Sequence, residues 1–222
     1  MFHGKHPAGD SLGRVAAWAG VDITLERRVK LDRFAKWLRE EATVAGGIGP
    51  EEAPRVTDRH IADSLAFAVA WDEAPRSVLD VGSGVGLPGI PLAITHPATA
   101  FTLLDRSGRR CGLARRAVRI LGLSNVSVVQ EDVERVAGMW SVVLFRASLP
   151  PDRALVVAEP LLDGAGCAVV GLSRRRETPP LPGTASGIRV DLVQTAPGVL
   201  DSPAWILRME RIEPQSKDGN PS

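Results

Sequence analysis

A chain of 222 residues, 44% hydrophobic and 24% charged, has the make-up of a globular protein long enough to bury one substantial core. A formal charge of +1 excludes a global basic field of the kind that grips nucleic acid non-specifically, while leaving room for a local patch. No stretch approaches the roughly 18 apolar residues of a membrane span, and Met1 to Gly20 has no apolar run for a signal sequence, so a cytoplasmic location is expected.

After a polar start, the first helical pattern runs from about Thr24 to Glu41. Leu31, Phe34, Ala35 and Leu38 form one stripe there, with Thr24 as N-cap. Ala45 to Pro54, with three glycines and two prolines, reads as a loop, and a second helix is predicted over His60 to Trp71. Strands and helices then alternate. Short apolar runs at Ser77–Val81, Phe101–Leu104, Val126–Val129, Val142–Phe145 and Ala168–Leu172 predict strands covered on both faces. Helices are predicted near Pro88–Pro91, over Ser107–Leu121 and over Asp152–Leu162, the second with Leu113, Ala117, Ile120 and Leu121 on one side. Ile188–Thr195 and Ala204–Ile212 have no helix between them, which predicts an antiparallel pair at one sheet edge. The fold class expected is therefore α/β: an open, mainly parallel sheet of about seven strands with helices on both faces, Rossmann-like, after a short N-terminal helical segment. Cys111 and Cys167, far apart and outside any C-x-x-C pair, predict two buried reduced thiols and no metal site.

The central signal is Asp80-Val-Gly82-Ser-Gly84-Val-Gly86-Leu87-Pro88-Gly89, where a strand ends, glycines turn the chain and a helix begins. In open α/β sheets, ligands lie at the carboxyl ends of the strands, and glycines let backbone approach them closely. Gly84, Gly86 and Gly89 satisfy G-x-G-x-x-G, with Asp105 about 20 residues on, as a dinucleotide fingerprint requires. Two residues oppose that reading. Asp80 puts a carboxylate where a pyrophosphate would be repelled, and Pro88 removes an N–H where a phosphate needs donors. S-adenosylmethionine, a sulfonium nucleoside without phosphate, tolerates that acid, and Asp105 can accept hydrogen bonds from its ribose hydroxyls.

Asp80 to Ala93, followed by Phe101-Thr-Leu-Leu-Asp105-Arg-Ser-Gly-Arg-Arg, resembles the ribosomal RNA small subunit methyltransferase G family, also called glucose-inhibited division protein B. His60-Ile-Ala-Asp63-Ser64 is similar to its H-x-x-D-S, and Val133-Glu134 and Arg146-Ala147 match downstream; the resemblance runs from about Lys36 to Ser173. It implies a class I methyltransferase that uses S-adenosylmethionine to methylate N7 of a guanine in 16S rRNA. It also implies cofactor-binding roles for Gly82 and Leu87 at the methionine end, Val133 and Glu134 on the adenine side, and Arg146 at the far rim, beside Gly84 and Asp105 from the loop itself. On this reading, residues 1–55 are a helical extension, 56–213 the methyltransferase domain and 214–222 a disordered tail. The partner is 16S rRNA or the small ribosomal subunit, met as a monomer, with no metal and no membrane.

Guanine N7 has a free lone pair and no proton to lose, so no catalytic base is named; positioning does the work. Three departures from the family stand out. Leu38 follows Lys36-Trp37 in place of an asparagine, Ser173 stands near the place of a lysine after the fifth strand, and Ser141 and Phe145 replace an acid and a serine. They keep open a methyltransferase of the same fold acting on a small molecule or another RNA, which a closed apolar pocket beside the methyl would favour. A third reading is a non-enzymatic descendant, which would not bind S-adenosylmethionine. His60 either orders the site with Asp63 or caps and packs; Arg106, Arg109 and Arg110, and Arg174 to Arg176, are candidates for RNA phosphate. Four of the five tryptophans are expected to pack rather than stack on bases.

Overall fold

The computed structural model describes residues 11–181 and 187–211. The expected tail, 214–222, lies outside the described residues. Seven strands form one sheet in the order β3-β2-β1-β4-β5-β7-β6: β1 Ser77–Val81, β2 Ala100–Asp105, β3 Val126–Gln130, β4 Trp140–Arg146, β5 Leu162–Leu172, β6 Ile188–Gln194 and β7 Trp205–Arg211. The first five run parallel, and β7 enters antiparallel between β5 and β6. The edge hairpin and the seven-strand mixed sheet are as the sequence led one to expect. Strand order reverses between β1 and β4, and that crevice is where an open sheet receives ligand.

Side-chain alternation along the central strands builds two cores. Val78 of β1 and Val142 and Leu144 of β4 face one way, while Leu79, Val81, Val143 and Phe145 face the other. The first face is covered by α1 (Ser11–Trp18), α2 (Leu25–Trp37), α3 (Ala62–Ala66), α4 (Gly89–Thr95) and α5 (Gly108–Leu121), and the second by α6 (Pro151–Ala158). The buried side of α5 is Cys111, Ala114, Ala117 and Leu121, a stripe of small residues that seats the helix close to β2 and β3. Leu113 and Ile120, expected in that stripe, are only half-buried. Ser107 caps α5, and Gly122 ends it with φ +63°, a left-handed cap that glycine adopts without a Cβ penalty.

The polar start proved to hold a helix. In α1, Leu12, Val15 and Ala16 are buried at helical spacing in the same core as α3 and the sheet. The helix from Thr24 is capped as expected, by a Thr24 hydroxyl that accepts the Arg27 N–H, and it continues past Trp37 as a π-helical turn, Leu38–Ala42. The segment expected as one helix from His60 is a π-helical turn, Val56–Ile61, followed by α3 and a tight turn, Phe67–Ala70. Such π-turns often gather at functional sites. Cys111 and Cys167 are free and buried. Trp37, Trp140 and Trp205 are buried, with Trp37 stacked on Phe34 at 5.9 Å, and Trp18 and Trp71 pack half-buried against the core. Among the described residues no helix is long and apolar enough to cross a membrane, and no three metal-ligating side chains converge.

Candidate functional site

The glycine loop leaves β1 and is tied down at once. The N–H groups of Gly82 and Ser83 donate to Leu104 O at 2.8 and 3.0 Å, which fixes the loop against the end of β2. Asp105, at that end, is 5% exposed; one carboxylate oxygen accepts the Gly84 N–H at 3.0 Å and the other the Ser107 N–H at 2.8 Å. Each oxygen keeps a second lone pair, so Asp105 orders the loop and the start of α5 and retains acceptor capacity toward the cavity it lines.

The glycines differ in purpose. A Cβ on Gly86 would meet Ile90 at 2.3 Å, and one on Gly89 would meet Leu103 at 2.3 Å, so both are demanded by packing of α4. Gly82, at φ +71°, lies against the Ser148 side chain, 2.6 Å from where its Cβ would stand. Gly84, at φ +59°, faces open space: nothing lies within 4 Å of its missing Cβ. That bare backbone is the cradle a ligand needs.

Two cavities flank it. The first, about 460 Å³, lies over β2 and β3 and is lined by Gly82, Asp105, Val133, Glu134, Ser148 and Leu149 among others. The second, about 430 Å³, lies between the glycine loop, the ends of β4 and β5, and residues 47–63; it is lined by Gly84, Leu87, Arg146, His60, Asp63 and Glu52 among others. Arg110 and Ala147 line both, so the two meet beside the loop. Ala147 has φ +53° at this seam, a left-handed backbone uncommon without glycine and typical of functional sites. Of the seven residues expected to bind cofactor, Gly82, Asp105, Val133 and Glu134 line the first cavity and Gly84, Leu87 and Arg146 the second, so Gly82 and Leu87, expected side by side, face different cavities. Sequence reasoning missed Ser148, whose buried hydroxyl has no partner among the described residues and lines the first cavity; its position two residues beyond Arg146 was the available signal.

Asp80 is not where the loop sequence suggested. It shares the strand face of Val78, so alternation turns it beneath α4, where it is 1% exposed and accepts the Gly89 N–H at 2.8 Å. It lines neither cavity. Burial pushes its carboxyl up to about 7, against the opposing pull of the Gly89 N–H and Arg146. Between its ordinary value, near 3.8, and about 7 the folded protein holds a proton that the unfolded chain has released. Asp80 therefore makes stability fall as pH rises through that window and level off above it. Asp80→Asn keeps the acceptor for Gly89, and its Tm gain over wild type should grow from pH 4 to pH 7 in thermal melts; a gain independent of pH would refute this assignment.

Arg146, at the end of β4, is mostly buried, its side chain 18% exposed where it lines the second cavity. Its guanidinium donates to His60 O, Arg59 O and Ser64 Oγ at 3.2–3.3 Å, stands 3.3 Å from His60 Nδ1, and lies 4.0 Å from Asp63. Burial, followed by the Arg146 charge, lowers the His60 imidazole to about 4, so it is neutral at pH 7. Arg174, a phosphate candidate from sequence, is instead committed: its side chain is 4% exposed, paired with Asp63 and Asp201 and donating to Asp58 O at 2.7 Å. Arg175 and Arg176 remain exposed, as do Arg106, Arg109 and Arg110, although Arg109 donates to Ala45 O. Phe145 is wholly buried in the second core, and Ser141 Oγ donates to Asp163 at 2.9 Å, so both substituted positions are structurally absorbed.

Residues 27–177 match the family model for rRNA small subunit methyltransferase G. The chain belongs to this family. The family is named for a methyltransferase, the enzyme class expected from the sequence. Proteins named ribosomal RNA small subunit methyltransferase G include one from Streptomyces coelicolor, 40% identical over 64% of this chain and 60% of its own length. Another, from Streptomyces avermitilis, is 35% identical over 80% and 78%, and one from Frankia casuarinae 32% identical over 86% and 76%. The match to the Streptomyces coelicolor protein thus spans less than two thirds of that relative. Among solved structures, MtNAS aligns with a TM-score of 0.54 at 14% identity, over 89% of this chain and 74% of that one. The [4+2]-cyclase SpnF aligns with a TM-score of 0.53 at 18% identity, over 68% and 81%. These two likenesses establish the fold alone.

Proposed function

We propose that this chain transfers a methyl group from S-adenosylmethionine to N7 of a guanine in 16S rRNA, acting on the RNA or the small ribosomal subunit in the cytoplasm. The observation that carries the reading is the bare Gly84 backbone at the β1/β4 crevice, where two cavities meet, in a chain of this family. When bound, the cofactor supplies a methyl group on a sulfonium sulfur. The residues present fit it: Asp105 keeps acceptor lone pairs for ribose hydroxyls, Ser148, with a buried hydroxyl left unpartnered, lines the same cavity, and Val133 with Glu134 flank it as an adenine side would require. Gly84, Leu87 and Arg146 bound the space for the methionine end and the acceptor base.

The chain's own contribution is positioning. The His60 Nδ1 lone pair is occupied by the Arg146 guanidinium and Asp80 is sealed under α4, so neither is placed to act as a base, in keeping with a nucleophile that brings its own lone pair. The second cavity mixes apolar walls with charged side chains, Arg59, Arg110, Asp63 and Glu52 among them, which suits the flat face and polar edges of a nucleic-acid base better than a wholly apolar small molecule. The test is methyl incorporation into small subunits, or their naked RNA, from a strain lacking the modification, with the product nucleoside identified by mass spectrometry. 7-Methylguanosine is the expected product; cofactor binding without any methylated guanine would overturn the proposal.

A further inference from the structure

The proposed reaction constrains which edge of the acceptor base the second cavity must read. With N7 toward the methyl donor, the Watson–Crick edge, N1–H and the N2 amino group, is free for recognition by residues away from the glycine loop. Residues 47–63 form such a wall, and its carboxylates are Glu52 and Asp63. Asp63 is spent on Arg174 and Arg146. Among the described residues Glu52 pairs with no arginine or lysine; its neighbour is His60 Nε2, 3.3 Å from Oε2, and its side chain is 36% exposed. His60 Nδ1 faces the Arg146 guanidinium, which can only donate, so the imidazole proton sits on Nε2, which makes no hydrogen bond to Glu52 or to any other described residue. The Glu52 carboxylate thus keeps its acceptor lone pairs for a ligand.

Resting on the N7-guanine reading, we propose that Glu52 is the specificity-determining residue for the acceptor base, its carboxylate accepting the N1–H and N2 amino hydrogens of guanine. Adenine presents a lone pair at N1 and would be repelled. The same contact lowers the barrier. As the N7 lone pair forms the new N–C bond and the electrons of the broken C–S bond stay on sulfur, the purine becomes cationic and its N1–H more acidic. A carboxylate there therefore binds the transition state more tightly than the ground state. No proton is transferred.

The test is single-turnover methyl transfer to unmodified small subunits by wild type and Glu52→Gln, with S-adenosylmethionine affinity and Tm measured on the same preparations. Glu52→Gln is expected to keep affinity and Tm while losing transfer rate on the order of tenfold or more. Subunits rebuilt with inosine, which lacks the N2 amino group, at the accepting position should react more slowly with wild type and lose that handicap with the variant. An unchanged rate for Glu52→Gln would overturn the proposal, and so would an equal loss of cofactor affinity, which would assign the carboxylate to the cofactor's amino group. Absence of transfer by wild type would instead bring down the N7-guanine reading itself.

Discussion

Gly84→Ala should weaken S-adenosylmethionine binding about tenfold or more, while Gly122→Ala leaves it unchanged. The two positions are matched in backbone: φ is +59° at Gly84 and +63° at Gly122, and neither missing Cβ has an atom within 4 Å. A methyl group therefore costs each about 1 kcal/mol of left-handed strain, a few degrees of Tm in a chain of this size. They differ in surroundings. Gly122 caps α5 on the flank of the sheet, whereas Gly84 borders the cavity at the β1/β4 crevice. Only the second methyl stands where the cofactor's approach to backbone is needed. Calorimetric titration of both variants separates strain from blockade, since strain alone would move the two together. Gly82 is the poorer probe, because a side chain there first collides with Ser148.

Arg146→Ala is expected to cost about 3 kcal/mol of folding stability, a Tm loss on the order of 10 °C, together with most methyl transfer. The guanidinium ties the end of β4 to the carbonyls of Arg59 and His60 and to Ser64, and it is the mostly buried cation nearest Asp63 after Arg174. Removing it takes the guanidinium donors from two carbonyls, a hydroxyl and part of a carboxylate, of which His60 O keeps the Ser64 hydroxyl at 2.6 Å and Asp63 keeps Arg174. Arg146→Lys should recover only a fraction, since one ammonium cannot span acceptors that a planar fork reaches from two nitrogens. Urea unfolding of the three proteins checks the stability; a lysine variant as stable as wild type would show that charge, not the fork, is what matters.

Much of this was legible in the residues. Apolar runs marked the parallel strands because the inner four are buried on both faces while β3, at the edge, is half-buried, and the glycine loop announced itself because close packing of α4 and an open cradle both forbid side chains. Other features were hidden by the distances over which they act. Asp80 looks like a site acid until its parity with Val78 is counted, which turns it under α4. Arg174 looks like a free phosphate ligand because Asp63 lies 111 residues upstream and Asp201 27 downstream, joined to it only by the fold. The missed α1 carried its signal in Leu12, Val15 and Ala16, too short a stripe to stand out from the polar residues around it. β5 extends back to Leu162 through Gly164 and Gly166, where glycines argue against a strand and only pairing with β4 reveals one.

Hydrogen exchange with and without S-adenosylhomocysteine, the demethylated product, tests the cofactor's placement without relying on any variant. Amides of Val81 to Leu87, Asp105 to Ser107 and Glu131 to Glu134 should become protected together, as one ligand lying along the carboxyl ends of β1, β2 and β3 requires. Protection confined to another face of the sheet, with those three segments exchanging as before, would contradict the site described above.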